Sequence, residues 1–170
     1  IMRFVKIYLL LFVVSFSLLS YSQSTKKIDS LKAELERVKE DTNRVKIILD
    51  GFAAHYLNTG NYDTALIYID RGFYLSEKLD YNKGIALACR YRGTLLVYRS
   101  SYTDAISNYM KALEIDERTF YKRGIAADLN NLANVYSRKG DYFKTINYLN
   151  KALKIYEEIG NKEGRIKALN

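Results

Sequence analysis

The sequence predicts an all-α fold, a solenoid of stacked antiparallel helix hairpins, on three observations. Landmarks recur forty residues apart: Lys83-Gly84-Ile85-Ala86 returns as Arg123-Gly124-Ile125-Ala126, and Glu163-Gly164-Arg165-Ile166 follows at the same interval. Each interval carries two apolar stripes at helical spacing with a short turn between them. Proline is absent from all 170 residues, which suits helices, where an interior proline costs about 3 kcal/mol. A pair of short amphipathic helices cannot bury its apolar faces alone, whereas stacking pair on pair does so.

Residues 1–22 read as an address label rather than as part of the fold. Arg3 and Lys6 give a positive start, Ile7 to Leu19 is apolar apart from Ser15 and Ser17, and Ser20 and Ser22 are small residues placed for cleavage. This is the three-part pattern of a secretory signal peptide, with cleavage expected after Ser22. The run is short for a membrane span, which needs about 20 apolar residues; an uncleaved anchor is the alternative. No cysteine follows that would take a lipid. The expected destination is outside the inner membrane of a bacterium, periplasmic or secreted.

Residues 23–43 hold a stripe of Ile28, Leu31, Leu35 and Val38 with charge on the other side. Two readings apply, a cap over the apolar end of the array or a short coiled-coil arm. Three heptad-like steps are too few for the second, so the cap is preferred. Asp41-Thr42-Asn43 then supplies N-cap chemistry for the next helix.

The array proper divides into units at 44–83, 84–123 and 124–163, with 164–170 opening a fourth. In the third unit Leu129, Leu132, Ala133 and Tyr136 fall at i, i+3, i+4 and i+7, one face of a first helix. Gly140 suits a left-handed C-terminal cap, and Asp141 can cap the helix that follows. That second helix carries Tyr142, Ile146, Leu149, Ala152, Leu153 and Tyr156 as its expected buried face, and Gly160-Asn161 ends it. Gly60-Asn61-Tyr62 and Ser100-Ser101-Tyr102 stand where Gly140-Asp141-Tyr142 stands, one unit apart each time.

These residues resemble the tetratricopeptide repeat (TPR) pattern. The first unit offers Leu49, Phe52, Ala53 and Tyr56, then Gly60, Ala65, Ile69 and Gly72; the second offers Cys89, Arg92, Gly93 and Leu96, then Ala105, Tyr109 and Ala112; the third adds Thr145, Leu149 and Ala152 to its first-helix set. The small residues stand where helices cross closely. The usual repeat has 34 residues and ends in proline, so this chain resembles a longer subclass. The period also fits HEAT or armadillo arrays, but the small-residue spacing favours the TPR pattern. Arg92 interrupts the apolar column of the second unit, where looser packing is expected. The resemblance covers 44–163 and implies a right-handed superhelix whose first helices line a concave groove.

Composition excludes several functions. A single cysteine, Cys89, and a single histidine, His55, rule out an intramolecular disulfide and a cysteine-built zinc site. Neither a phosphate loop nor metal-ligand spacing is present, so no catalytic residue, metal or cofactor is expected. Asp and Glu are abundant, and a solvated place on helix faces is their default. The charge is +8, but no basic run is longer than two, as in Lys26-Lys27, Lys122-Arg123 and Arg138-Lys139, unlike the concentrated stripe of a nucleic-acid binder. No nucleic acid is expected as a partner, and a membrane only through the N-terminal segment or a further span.

The positions opposite the buried column are then the candidate binding surface. In the third unit they are Ala127, Asn130, Asn131, Asn134 and Arg138; in the second, Leu87, Arg90, Tyr91, Thr94 and Tyr98; in the first, Ile47, Asp50, Gly51, Ala54 and Asn58. Asparagine amides can bond both backbone groups of an extended peptide. Tyrosines offer large contact area at low entropic cost, and Arg90 and Arg138 could meet a carboxylate. The candidate set is Arg90, Tyr91, Thr94, Tyr98, Asn130, Asn131, Asn134 and Arg138. It points to a non-catalytic scaffold for a protein or peptide partner. The alternative is the sensory front of a longer membrane-bound signalling protein with a histidine-kinase or helix-turn-helix output.

Overall fold

Seventeen-residue helices and three-residue turns alternate with almost no variation along most of this chain. A computed structural model describes residue 23, residues 25–39 and residues 41–169; the signal segment and its cleavage position lie outside the described residues. The chain forms two compact units, 1–39 and 40–170. In the first, residues 25–37 form helix α1, with Leu35 buried and most of its charged residues exposed.

The second unit begins with one helical stretch in three parts: α2 (Thr42–Lys46), a π-helical segment (Ile47–Ala53) and α3 (Ala54–Asn58). Five helices of 17 residues follow, α4 (Tyr62–Lys78), α5 (Asn82–Tyr98), α6 (Tyr102–Arg118), α7 (Lys122–Arg138) and α8 (Tyr142–Glu158). The last is α9 (Lys162–Leu169). First helices therefore start at Thr42, Asn82, Lys122 and Lys162, forty residues apart. Among the described residues there is no strand, and no helix is long and apolar enough to cross a membrane.

Every turn uses the same device. Residues 60, 80, 100, 120, 140 and 160 all have positive φ, between 49° and 76°. The next amide bonds to the carbonyl five residues back, as in Asn61→Tyr56, Tyr121→Asp116 and Asn161→Tyr156, at 2.8–2.9 Å. This is the Schellman end, which satisfies otherwise orphaned carbonyls. Glycine fills the left-handed site at 60, 140 and 160, but Asp80, Ser100 and Phe120 fill it elsewhere. Phe120 is 86% exposed, so its ring gains little there. Phe120→Gly is expected to raise stability by about 0.5 kcal/mol, the relief of left-handed strain less glycine's greater freedom in the unfolded chain. Thermal and urea midpoints read the change.

N-caps follow the sequence. The Asp41 carboxylate accepts from the amides of Asn43 and Arg44, at 2.8 and 3.2 Å, and Asp141 accepts from Lys144 at 3.1 Å. The core runs between the stacked pairs. Tyr109, Leu113, Leu129, Leu132, Val135, Ala152 and Tyr156 belong to one buried cluster, and Cys89 packs in a second with Ala86 and Ala112.

Three features depart from the sequence reading. The π-helical segment replaces an ordinary α-helix, and its wider turns accompany burial on nearly every side, of Ile47, Ile48, Leu49, Phe52 and Ala53. Arg92 fills its place in the column rather than loosening it: its guanidinium bonds Asp70 at 2.5 Å and lies 5.2 Å from the Phe73 ring centre. Tyr142 and Ile146, expected on a buried face, are 69% and 60% exposed. Their counterparts one unit earlier, Tyr102 and Ile106, pack against the core.

Candidate functional site

Successive first helices touch one another, α5 with the π-helical segment, α7 with α5 and α9 with α7, while the second helices α4, α6 and α8 make no comparable contacts among themselves. The first helices thus form the more closely connected layer, the face called inner below. The residues expected to bind stand on this layer.

Five of the eight converge. Thr94 and Tyr98 of α5 and Asn131, Asn134 and Arg138 of α7 line one cleft of about 100 Å³, floored by Val97, Tyr109 and Val135. A neighbouring cleft of about 220 Å³ continues from it across Asn134 to Asn130, Ser137 and, on α9, Lys167. Among the described residues, the side chains of Asn130, Asn131, Asn134 and Arg138 make no hydrogen bond or ion pair with the protein. Asn134 and Arg138 are exposed, and Asn130 and Asn131 are half-buried.

The α5 side is more committed. The Thr94 hydroxyl donates to the Arg90 carbonyl at 3.1 Å and shares a 3.0 Å bond with the Tyr109 hydroxyl. Burial pushes the Tyr109 hydroxyl up to about 12, so it stays protonated. Tyr98 stacks on Tyr62, centres 5.1 Å apart. The Tyr91 hydroxyl donates to Asp50 at 2.9 Å, and burial, with Asp50 beside it, raises its pKa.

Arg90 faces inward. Its Nε donates to Asp128 Oδ1 at 2.6 Å and one terminal nitrogen to Asp116 Oδ2 at 2.6 Å and Asp128 Oδ2 at 3.2 Å. Its side chain is 15% exposed, against 1% for Asp116 and none for Asp128. Burial opposes the charge of Arg90, yet bonding to Asp128 raises its pKa overall. The carboxylate that Arg90 was expected to meet on a ligand is thus supplied twice from within. The same guanidinium edges a third cleft of about 340 Å³ with Lys46, Asp50, Lys83 and Tyr121.

Asp116 and Asp128 correct the expectation that acidic residues lie on solvated faces. Hydropathy alone assigns them to solvent, but the forty-residue register holds the missing signal. Asp128 stands where the neighbouring units have Ala88 and Ala168, both buried. Asp116 stands where they have Ser76 and Tyr156, buried as well. Ser76, Asp116 and Tyr156 each lie against the glycine that opens the next first helix, Gly84, Gly124 and Gly164, where a Cβ would collide with them.

Comparison with known proteins agrees with this architecture. Residues 129–159, the second half of α7 through α8, match the family described as Tetratricopeptide repeat. No curated protein sequence matches the chain. Among solved structures, the crystal structure of BtubC (BKLC) from P. vanneervenii is similar in fold, with a TM-score of 0.64 and 18% identity. The match covers 81% of this chain and 57% of that one, so the chain spans a little over half the length of that structure.

Proposed function

We propose that this chain, whose residues 129–159 match the tetratricopeptide repeat family, a family whose repeats are generally protein–protein interaction modules, holds an extended peptide segment of a partner across the inner face of α5, α7 and α9. The reading rests on one observation. Asn130, Asn131, Asn134 and Arg138 are left without internal partners on a face where the equivalent Arg90 and Tyr91 are internally bonded. An amide side chain offers two donors and an acceptor, so a row of asparagines bonds a peptide backbone while tolerating varied side chains. Tyr98 adds apolar contact area, and Arg138 meets negative charge.

The positive start and apolar run of residues 1–22 support placing this binding outside the inner membrane.

The test begins with a peptide selected against the wild-type protein from a random display library. Asn131→Ala/Asn134→Ala is expected to weaken its binding about tenfold or more, two net hydrogen bonds of about 1 kcal/mol each. The helical circular-dichroism signal stays unchanged, because neither side chain supports the fold. Undiminished affinity overturns the assignment, and lost helicity reclassifies the asparagines as structural.

A further inference from the structure

The Arg90, Asp116 and Asp128 cluster ties three consecutive helices together. Arg90 comes from α5, Asp116 from the end of α6 and Asp128 from the middle of α7, so it bridges the second helix pair to the first helix of the third. Two carboxyl groups with almost no exposure share one guanidinium. If both were ionised, one negative charge would be buried without compensation, a strongly disfavoured arrangement. The oxygen inventory agrees: Asp116 Oδ1 is buried without a bonding partner, while the other three carboxylate oxygens all face Arg90.

Among the described residues no other group restores the balance. Lys83 of α5 acts on Asp116 from a distance, but its ammonium lies over the Tyr121 ring, 4.7 Å from the centre. Asp128 acts on Cys89 of α5, Tyr109 of α6 and Tyr156 of α8, but burial raises the pKa of all three, so they are neutral near pH 7.

We propose that the joint between the second and third helix pairs holds one proton shared by Asp116 and Asp128, and that loss of this proton with rising pH loosens the joint. With the proton in place, one carboxyl group donates to the other and the cluster is neutral. Burial, acting against Arg90, raises Asp116 and pushes Asp128 up to about 7. The sign follows. An acid bound more tightly to its proton in the folded state stabilises fully below the unfolded pKa, near 4, and that stability is lost as pH rises through the folded value. The window is therefore about pH 4 to 7, with a plateau above it. Because Arg90 also edges the inner-face cleft beside Lys83 and Tyr121, the proton sits one side chain away from the binding layer.

Infrared spectroscopy and thermal melts test this together. At about pH 5.5 the folded wild-type protein should show the carbonyl band of a buried carboxylic acid that disappears by about pH 9, and Asp128→Asn should lack it. The wild-type midpoint should fall relative to Asp128→Asn by about 5 °C or more between about pH 4.5 and 7.5, since the amide keeps the neutral form at every pH. Asp116→Asn serves as the second variant if Asp128→Asn does not fold, and the wild-type band decides if neither does. Absence of that band, or midpoints that run parallel across the window, overturns the proposal.

Discussion

Arg90→Met costs about 3–5 kcal/mol of folding free energy near neutral pH, the range for removing one partner of a buried ion cluster. Methionine retains the reach and much of the apolar stem, so lost packing contributes little. What remains is the pair Asp116 and Asp128, both buried, with no cation in bonding range. The negative charge left uncompensated lies between α6 and α7, the interface on which the third helix pair is stacked. Chemical denaturation at neutral pH reads the loss. Two controls separate charge from packing. The loss should shrink at about pH 5, where protonation relieves the two carboxyl groups, and Arg90→Met/Asp128→Asn should recover much of it at neutral pH. A single variant within 1 kcal/mol of wild type would show that the guanidinium does not hold these helices together.

Phe52→Ala is the second large effect, at about 3–5 kcal/mol. Phe52 is fully buried in the π-helical segment, and its ring stacks on Tyr68 of α4 with centres 4.6 Å apart and planes 7° from parallel. Tyr68 stacks in turn on Tyr56 at 5.5 Å. Alanine removes the innermost ring of this three-ring stack and leaves a cavity that the surroundings close only in part. In a linear array each pair contacts only its neighbours, so the damage should be local. Hydrogen exchange should accelerate across 42–78 and stay nearly unchanged across α7 and α8. Uniform acceleration would mean that the array unfolds as one cooperative body.

Much of the scaffold was legible because the forty-residue register repeats the information. Gly60, Gly140 and Gly160 mark turns that Asp80, Ser100 and Phe120 do not announce, yet all six turns share one geometry. Leu132, Ala133 and Leu129 are buried as their spacing requires. The π-helical segment was not legible, because it neither adds a residue nor changes the span between the turns on either side. The polar cluster escaped for a different reason. Hydropathy judges Asp128 by its type, whereas its environment is set by Ala88 and Ala168 at the same register position. On the inner face the helical spacing picked out the row of Asn130, Asn131, Asn134 and Arg138. It could not tell that Arg90 and Tyr91, at equivalent positions, would be bonded by Asp116, Asp128 and Asp50, since those carboxylates arrive from other helices.

The recurrence of a left-handed residue every twentieth position has an evolutionary and engineering meaning. Forward and return connections have the same length and the same hydrogen-bonding closure, so no junction is specialised. Excising or duplicating a forty-residue cassette between matching turns would leave each surviving helix facing the neighbours it already tolerates, apart from the contacts at the seam. Removing a twenty-residue half would turn inner helices into outer ones. The reach of such a molecule is a copy number, adjustable by recombination between like segments without inventing a new join.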